Sequence, residues 1–349
     1  MRRVLLTAGV LSVVILAVLV GARAVGLGTR AAPESHLYVA ISRSDDETAA
    51  REIEVIDTAS GERMLFDVGS RISALALSPD RRTLYVGADD GRLLLVDPTN
   101  GATYAEIPTR RASWILAPPG RDDVILVGAD PAGISVTRVD VPNRREAKSI
   151  LITGAAPGRP VLRGGELLLP YVVRTENSLG QYDSVTLERS TASLVARIVG
   201  RTALGLPQVH LTPQGSAAYL AQWDSSPAGV RLLAGVAGET KPQELLLGVT
   251  SPGNDRPLRG LLEVQSSLTS AADGTLHVCV GNSDFAARYV VGTAQRLVGS
   301  ECGQLTRLAD RVYLAVRGKP RVAVIDAASG RILRDLLLPG IPVLVASGA

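Results

Sequence analysis

Residues 71–101 read RISALALSPDRRTLYVGADDGRLLLVDPTNG. Three short aliphatic and β-branched runs, SALAL, TLYVGA and RLLLVD, are separated by a Ser-Pro-Asp turn and an Asp-Gly turn, the pattern of consecutive antiparallel strands. The third run ends on Asp97, with Gly101 four residues later, and the same ending recurs as Val55-Ile56-Asp57-Thr58-Ala59-Ser60-Gly61 and Val324-Ile325-Asp326-Ala327-Ala328-Ser329-Gly330. An Asp carboxylate there can accept the turn's N–H groups while Gly takes positive φ, leading into a fourth run (ERMLFDV, ATYAEI, RILRDLL). This spacing marks the acids as turn formers rather than metal or substrate ligands.

The second run sets a period along the whole chain. Its copies are LYVA at Leu37, LYVG at Leu84, ILVG at Ile125, LLLPYVV at Leu167, AYLAQ at Ala218, LHVCV at Leu276 and VYLAV at Val312. Val39, Val86 and Val127 stand 47 and 41 residues apart, the length of a four-stranded propeller blade. Nothing after residue 30 sustains a helical 3.6-residue period, which predicts an all-β chain. The first copy, at His36, lacks a first strand, and the tail Gly340–Ala349 resembles a first strand and then stops. The spacing therefore predicts a seven-bladed β-propeller over 36–349, with the C-terminal strand closing the first blade.

The pattern SPDRRTLYVGADDGRLLLVDPTNG resembles the YVTN repeat of bacterial seven-bladed propellers, whose relatives include surface-layer propellers, lactonases and quinoprotein amine dehydrogenase heavy-chain-like proteins. The likeness is good in the second and last repeats, moderate in the first, and persists in the middle repeats mainly as spacing. It implies a fold and is nearly silent on activity, because propellers host many unrelated functions.

Ahead of the repeats, Met1-Arg2-Arg3 precede Val4–Val20, an uncharged apolar run that as a helix spans roughly 25 Å. Residues 1–28 read as a hydrophobic helix that is either a cleaved signal peptide, with Ala22-Arg23-Ala24 as the small-x-small site, or an uncleaved membrane anchor. Residues 29–35 read as a linker. Either way the rest of the chain is expected to be exported, anchored on the outer side of the cytoplasmic membrane or secreted. No Cys stands near residues 20–25 to carry a lipid. The formal charge of +3 is accounted for by Arg2, Arg3 and Arg23, so the remainder is neutral and offers no footprint for nucleic acid.

Catalytic motifs are missing. The three histidines, His36, His210 and His277, fall in three different repeats, and there is no HExxH, CxxC, GxSxG or EF-hand loop. Gly26-Leu27-Gly28-Thr29-Arg30-Ala31 matches a dinucleotide fingerprint by letters, without the flanking βαβ unit that gives it meaning. No cofactor and no metal are expected. Candidate channel-mouth positions on the first strands are Ala74, Trp114, Gln208, Ser266 and Val343, with His210 close by. These strands carry almost no acid, which argues against a Ca²⁺-dependent lactonase site. Cys279 and Cys302 fall in adjacent repeats, where a disulfide and two buried thiols are both open readings.

The longest insertions, Ser42–Glu52, Arg174–Ser184, Gln222–Gly229 and Thr250–Glu263, share one expected face. Arg43, Asp45, Asp46, Arg174, Glu176, Tyr182, Trp223, Asp224, Asp255 and Arg256 make it the candidate binding face, mixing charge with aromatic anchors. The expectation is a membrane-associated, non-catalytic module, a monomeric ring binding another envelope protein or a small ligand. The alternatives are a lactonase-like hydrolase or redox subunit using the channel, and a structural cell-envelope protein.

Overall fold

A computed structural model describes residues 31–347 except 45–48, 154, 158, 164–165, 174–180, 187–190, 198–208, 212–216, 224–229, 237–242, 248–264, 272–274, 282–285 and 292–294, and much of 155–297 as backbone alone. The expected hydrophobic helix of residues 1–28 lies outside the described residues. Among those described, no helix is long and apolar enough to cross a membrane.

The described strands pair into seven antiparallel sheets. The first contains, from its inner to its outer edge, Ile341–Ser347, His36–Ser42, Glu52–Asp57 and Arg63–Asp67. The second runs Ile72–Leu77, Leu84–Ala88, Arg92–Val96 and Thr103–Pro108, and the third Trp114–Leu116, Asp123–Asp130, Gly133–Asp140 and Arg145–Thr153. In the fourth, two short inner segments, Ala155–Pro157 and Val161–Arg163, share one edge of Glu166–Val173, followed by Gln181–Thr186 and Thr191–Arg197. The fifth is Val209–Leu211, Ala217–Trp223, Val230–Val236 and Gln243–Leu247, and the sixth Gln265–Ser270, Leu276–Gly281, Ala286–Val291 and Gln295–Gly299. The seventh is Gly303–Leu308, Arg311–Val316, Arg321–Asp326 and Ile332–Leu337. Each of the seven sequence copies of the LYVA type is the second strand of its sheet.

Consecutive sheets touch through their inner strands, except that Ala155–Pro157 of the fourth meets Asp123–Asp130 and Gly133–Asp140 of the third, and the circuit returns from Gly303–Leu308 to Ile341–Ser347. That closing strand pairs with His36–Ser42, setting Tyr38 opposite Ala346 and Val39 opposite Val345. The register shifts at Ala40/Ile41, where Pro342 faces Ile41. Pro has no N–H to give a ladder, and an inner strand with one unpaired edge is where it is tolerated.

The apolar core lies between the sheets. Tyr38, Ala40, Ile53 and Val55 of the first sheet pack with Leu84, Val86 and Leu94 of the second. Leu37, Val39 and Ile56, on the opposite face, pack with Tyr313, Val322 and Leu336 of the seventh. Residues of alternating parity are therefore buried on both sides, which is why the second strands read as unbroken apolar runs rather than alternating ones. At about 1.5–3 kcal/mol for each fully buried aliphatic side chain, these seams dominate stability.

Asp57, Asp97 and Asp326 build near-identical turns. In each, the Asp carbonyl accepts the N–H of Gly61, Gly101 or Gly330, with φ of 80°, 76° and 73°. The carboxylates accept from Ala59 N–H and Ser60 hydroxyl, from Thr99, and from Ser329. A fourth copy, which the Asp-to-Gly spacing does not reveal, is Asp140, bonded to Asn143 and followed by Arg144 in left-handed backbone at φ 51°. The turns also touch neighbouring sheets, since a Cβ on Gly101 would lie 2.3 Å from Cγ of Phe66.

Within the expected linker of residues 29–35, the chain is fastened to the body from Ala32 onward. Ala32 is 1% exposed within the seam between the first and second sheets, its N–H donates to Arg81 O at 2.8 Å, and Glu34 pairs with Arg81. A small apolar side chain next to a donor that needs an acceptor explains the difference, since both are satisfied only against the body.

Two outcomes are expected. Gly101→Ala lowers stability by about 2–4 kcal/mol through its positive φ and the clash with Phe66, whereas Arg144→Gly raises it by about 0.5–1 kcal/mol, both read from urea midpoints. Asp57 is held below its ordinary carboxylate range by hydrogen bonds from Ser35, Ala59 and Ser60, and Asp140 and Asp326 are lowered likewise by Asn143 and Ser329. Their unfolded-state pKa is about 3.9, so their stabilisation is complete above that pH and fades as pH falls towards the folded value. Asp57→Asn should lower stability near neutrality, where the carboxylate's contribution is complete, and so flatten the acid limb of the profile, with the smallest difference from the parent at the lowest pH.

Candidate functional site

In the inner strands Ile72–Leu77 and Ile341–Ser347, side chains divide between the two flanking seams. Ala74 is buried in the seam of the second and third sheets. Trp114, expected at a channel mouth, is half-buried and packs against the apolar cluster of the third–fourth seam. A period-two strand presents its side chains above and below its own sheet rather than along its edge, which is the physical reason for that placement. Val343 packs similarly against the first–second cluster. Edge N–H groups are met by side chains of the preceding inner strand: Leu305 N–H donates to Ser267 Oγ at 2.8 Å and Val345 N–H to Gln304 Oε1 at 2.8 Å. His210 lies in Val209–Leu211, opposite Tyr219, while Gln208 lies outside the described residues. The inner strands ISALAL, WIL, AAP, VLR, VHL, QSSLTS, GQLTRL and IPVLVAS contain no Asp or Glu. Among the described residues, no group of three or more His, Cys, Asp and Glu could hold a metal ion.

On the expected binding face, Arg43 is exposed and donates to Glu52 Oε2 at 2.6 Å and to Pro339 O at 3.3 Å. Asp45, Asp46, Arg174, Glu176, Asp224, Asp255 and Arg256 lie outside the described residues. Tyr182 and Trp223 stand on strands rather than in loops, Tyr182 opposite Pro170 and Trp223 opposite Val230. Aromatic residues favour the pleated, half-buried surface of a strand, so pairing extends further into both insertions than the turn residues suggest.

The same face carries a repeated clamp that the sequence reading missed. Arg92, at the start of a third strand, binds Asp90, Glu106 on the outer strand and Ser70 Oγ ahead of the inner strand. Arg321 occupies the matching place in the seventh sheet and binds Asp335 and both carboxylate oxygens of Glu301. Burial pushes the Glu301 carboxyl up, but Lys319 and Arg321 outweigh it and hold the group below its ordinary range. The detectable signal is an Arg opening the third strand with an acid fourteen residues on. Exposed pairs of this kind are worth at most about 1 kcal/mol each, and they fix geometry more than they stabilise.

Buried polar side chains serve the seams. Tyr38 donates to the Pro98 carbonyl at 3.4 Å, and His277, at the matching strand position, lies 2.7 Å from the Ala327 carbonyl oxygen. Both carbonyls immediately follow a turn Asp of the next sheet. Arg288, 1% exposed, donates to Gly330 O at 2.6 Å. Cys279 Sγ and Cys302 Sγ are bonded across the sixth and seventh sheets, with Cα atoms 5.4 Å apart.

Between the first and seventh sheets a cleft of about 540 Å³ is lined by Glu34, Ser35, Thr58, Arg311, Tyr313 and Leu333 among others. It lies where the chain enters the body, on the side of the Asp-Gly turns. Glu54, in the same sheet, is 3% exposed, and burial raises its carboxyl against the opposing pull of Arg63, which donates to it at 3.1 Å.

No protein-family model matches the sequence, and no curated protein matches it. Solved structures are similar in fold. One from Bacteroides uniformis, provisionally assigned as a 6-phosphogluconolactonase, is 15% identical over 89% of this chain and 98% of its own, with a TM-score of 0.62. A similarly assigned protein from Bacteroides fragilis is 14% identical over 89% and 97%, with a TM-score of 0.64. The β-propeller domain of Cps50 (Swd1) from Myceliophteria thermophila is 13% identical over 85% and 92%, with a TM-score of 0.56. The chain has a β-propeller fold. Identities this low say nothing of activity.

The cross-link closes a segment of 23 residues. Alkylation of the unreduced, unfolded protein should therefore modify neither cysteine, and Cys302→Ser should cost about 3 kcal/mol in denaturant titration, whereas labelling of both thiols would remove the cross-link.

Proposed function

We propose that the seven sheets are the blades of a closed YVTN-type ring that works on the outer side of the cytoplasmic membrane as a non-catalytic binding module. In this reading residues 1–28 tether or export the ring. The loops joining second to third strands, and those entering the inner strands, present Arg43, Asp45, Asp46, Arg174, Glu176, Asp224, Asp255 and Arg256, with Tyr182 and Trp223 on the strands that border them. The carrying observation is the distribution of charge. The inner strands contain no carboxylate for acid–base or metal chemistry, while charge and aromatic anchors collect at the insertions.

A second reading is a lactonase-like hydrolase, favoured by the fold likeness to the two provisionally assigned 6-phosphogluconolactonases. It requires acid–base or metal-binding groups from the insertions rather than from the inner strands.

Cross-linked affinity purification of the full-length chain from its native membrane should recover a stoichiometric partner. Trp223→Ala with Arg174→Ala should reduce that recovery at least about tenfold, the loss expected for one interfacial hot spot, with unfolding unchanged. Recovery equal to the parent overturns the binding face. Turnover of 6-phosphogluconolactone by the purified protein, with or without divalent cation, would instead establish the hydrolase.

A further inference from the structure

Tyr38 and His277 stand at matching positions of their second strands, and each meets the carbonyl that follows the turn Asp of the next sheet, Pro98 O and Ala327 O. Tyr313 holds that position in the seventh sheet, and the matching carbonyl in the first sheet is Thr58 O. Here the carbonyl is taken by another group, Arg334 Nη2, which donates to it at 3.3 Å. Tyr313 is 3% exposed and lines the cleft between the first and seventh sheets, and its hydroxyl has no hydrogen-bond partner among the described residues. A phenolic hydroxyl withdrawn from water needs a partner, and the space in front of this one is the cleft.

The strand register builds the site around it. Tyr313 stands opposite Val324, and Val324 opposite Arg334, so the three form one row on the face towards the first sheet, with neighbours about 5 Å apart. In the first sheet the same row is Tyr38, Val55 and Met64, whose methionine packs against the apolar seam. The seventh-sheet row is therefore polar at both ends and apolar between them. The remaining polar groups of the lining are engaged: the Ser35 hydroxyl with Asp57, the Thr58 hydroxyl with Ser35 O, Glu34 with Arg81, and Arg311 with Asp310 and Asp326. Arg334 differs. It carries five N–H donors, its bond to Thr58 O leaves the charge unneutralised, and it has no acid partner among the described residues. The cleft thus offers one unspent hydroxyl and one uncompensated guanidinium beside the apolar side chains of Val324, Leu308 and Leu333, in about 540 Å³, a volume suited to a small molecule.

We propose that this cleft binds a small amphipathic carboxylate, held by the Tyr313 hydroxyl and the Arg334 guanidinium, with its apolar body on Val324, Leu308 and Leu333. The site lies at the end of the strands opposite the insertions and depends neither on the binding face nor on residues 1–28. The test titrates purified full-length chain into 3-(4-fluorophenyl)propionate, 8-fluorooctanoate and 3-(4-fluorophenyl)propanamide, following fluorine-19 line broadening. At least one carboxylate should show saturable binding that the amide lacks. Tyr313→Phe and Arg334→Gln should each weaken it about tenfold or more, the worth of one hydrogen bond to a charged group. Tyr38→Phe, whose hydroxyl serves Pro98 O, should lower the urea midpoint and leave binding unchanged. Leu333→Trp obstructs the cleft from an exposed position, so it should abolish binding and decides the matter if a polar variant fails to fold. Absence of saturable binding by both carboxylates overturns the proposal, as does equal affinity for the amide. Binding at parental affinity in Leu333→Trp, or in folded Tyr313→Phe and Arg334→Gln, places the probe elsewhere and overturns it too.

Discussion

Ring closure is the constraint on which the rest depends. A sheet buried on both faces cannot stand alone, because whichever face lacks a neighbour exposes a continuous aliphatic surface to water. The first, second and third sheets each lend one face to the sheet before and the other to the sheet after. Such an array is stable only if its ends are capped or joined. The chain joins them by returning Ile341–Ser347 to the inner edge of the first sheet. In that strand Val345 packs into the seam with the seventh sheet and Ala346 into the seam with the second. One short strand therefore completes two seams, and residues more than 300 apart in sequence become neighbours across a ladder.

The Asp turns extend the same logic from apolar to polar groups. A turn needs its own N–H groups met, which the carboxylate does, but it also leaves carbonyls pointing outward. Tyr38 and His277 reach across a seam to the carbonyl after the turn Asp of the following sheet, and Arg288 reaches the Gly330 carbonyl. These contacts set the angular relation of neighbouring sheets with directional bonds, where aliphatic packing alone would let them slide. His277 belongs to this scaffold by its burial and its partner, and needs no catalytic explanation.

What was legible in the chain follows from which physical demands leave a periodic trace. Double burial forces every second strand to be apolar throughout, so all seven copies could be located, and the orphan strand at the tail could be matched to the strand missing at His36. The Asp-to-Gly spacing was legible where Gly relieves backbone strain, and failed at Asp140, where Arg144 tolerates left-handed backbone. The fourth sheet carries Pro157 at the end of its first short inner segment and Pro160 ahead of the second, an interruption the repeat does not anticipate. The clamps of Arg92 and Arg321 depend on the reach of long side chains across strands fourteen residues apart, and Trp114 on which side of its sheet it occupies. Burial of Ala32 depends on the body it meets, and nothing in a seven-residue polar stretch announces that.

Function is constrained by the same geometry. The described inner strands Ile72–Leu77 and Ile341–Ser347 spend their side chains on the seams, and Ser267 and Gln304 satisfy the next strand's edge. Among the described residues, exposed side chains collect at the perimeter, at strand ends and on outer strands. Arg43 is exposed at the first of these while paired with Glu52, and Leu333 and Leu337 are exposed on the second.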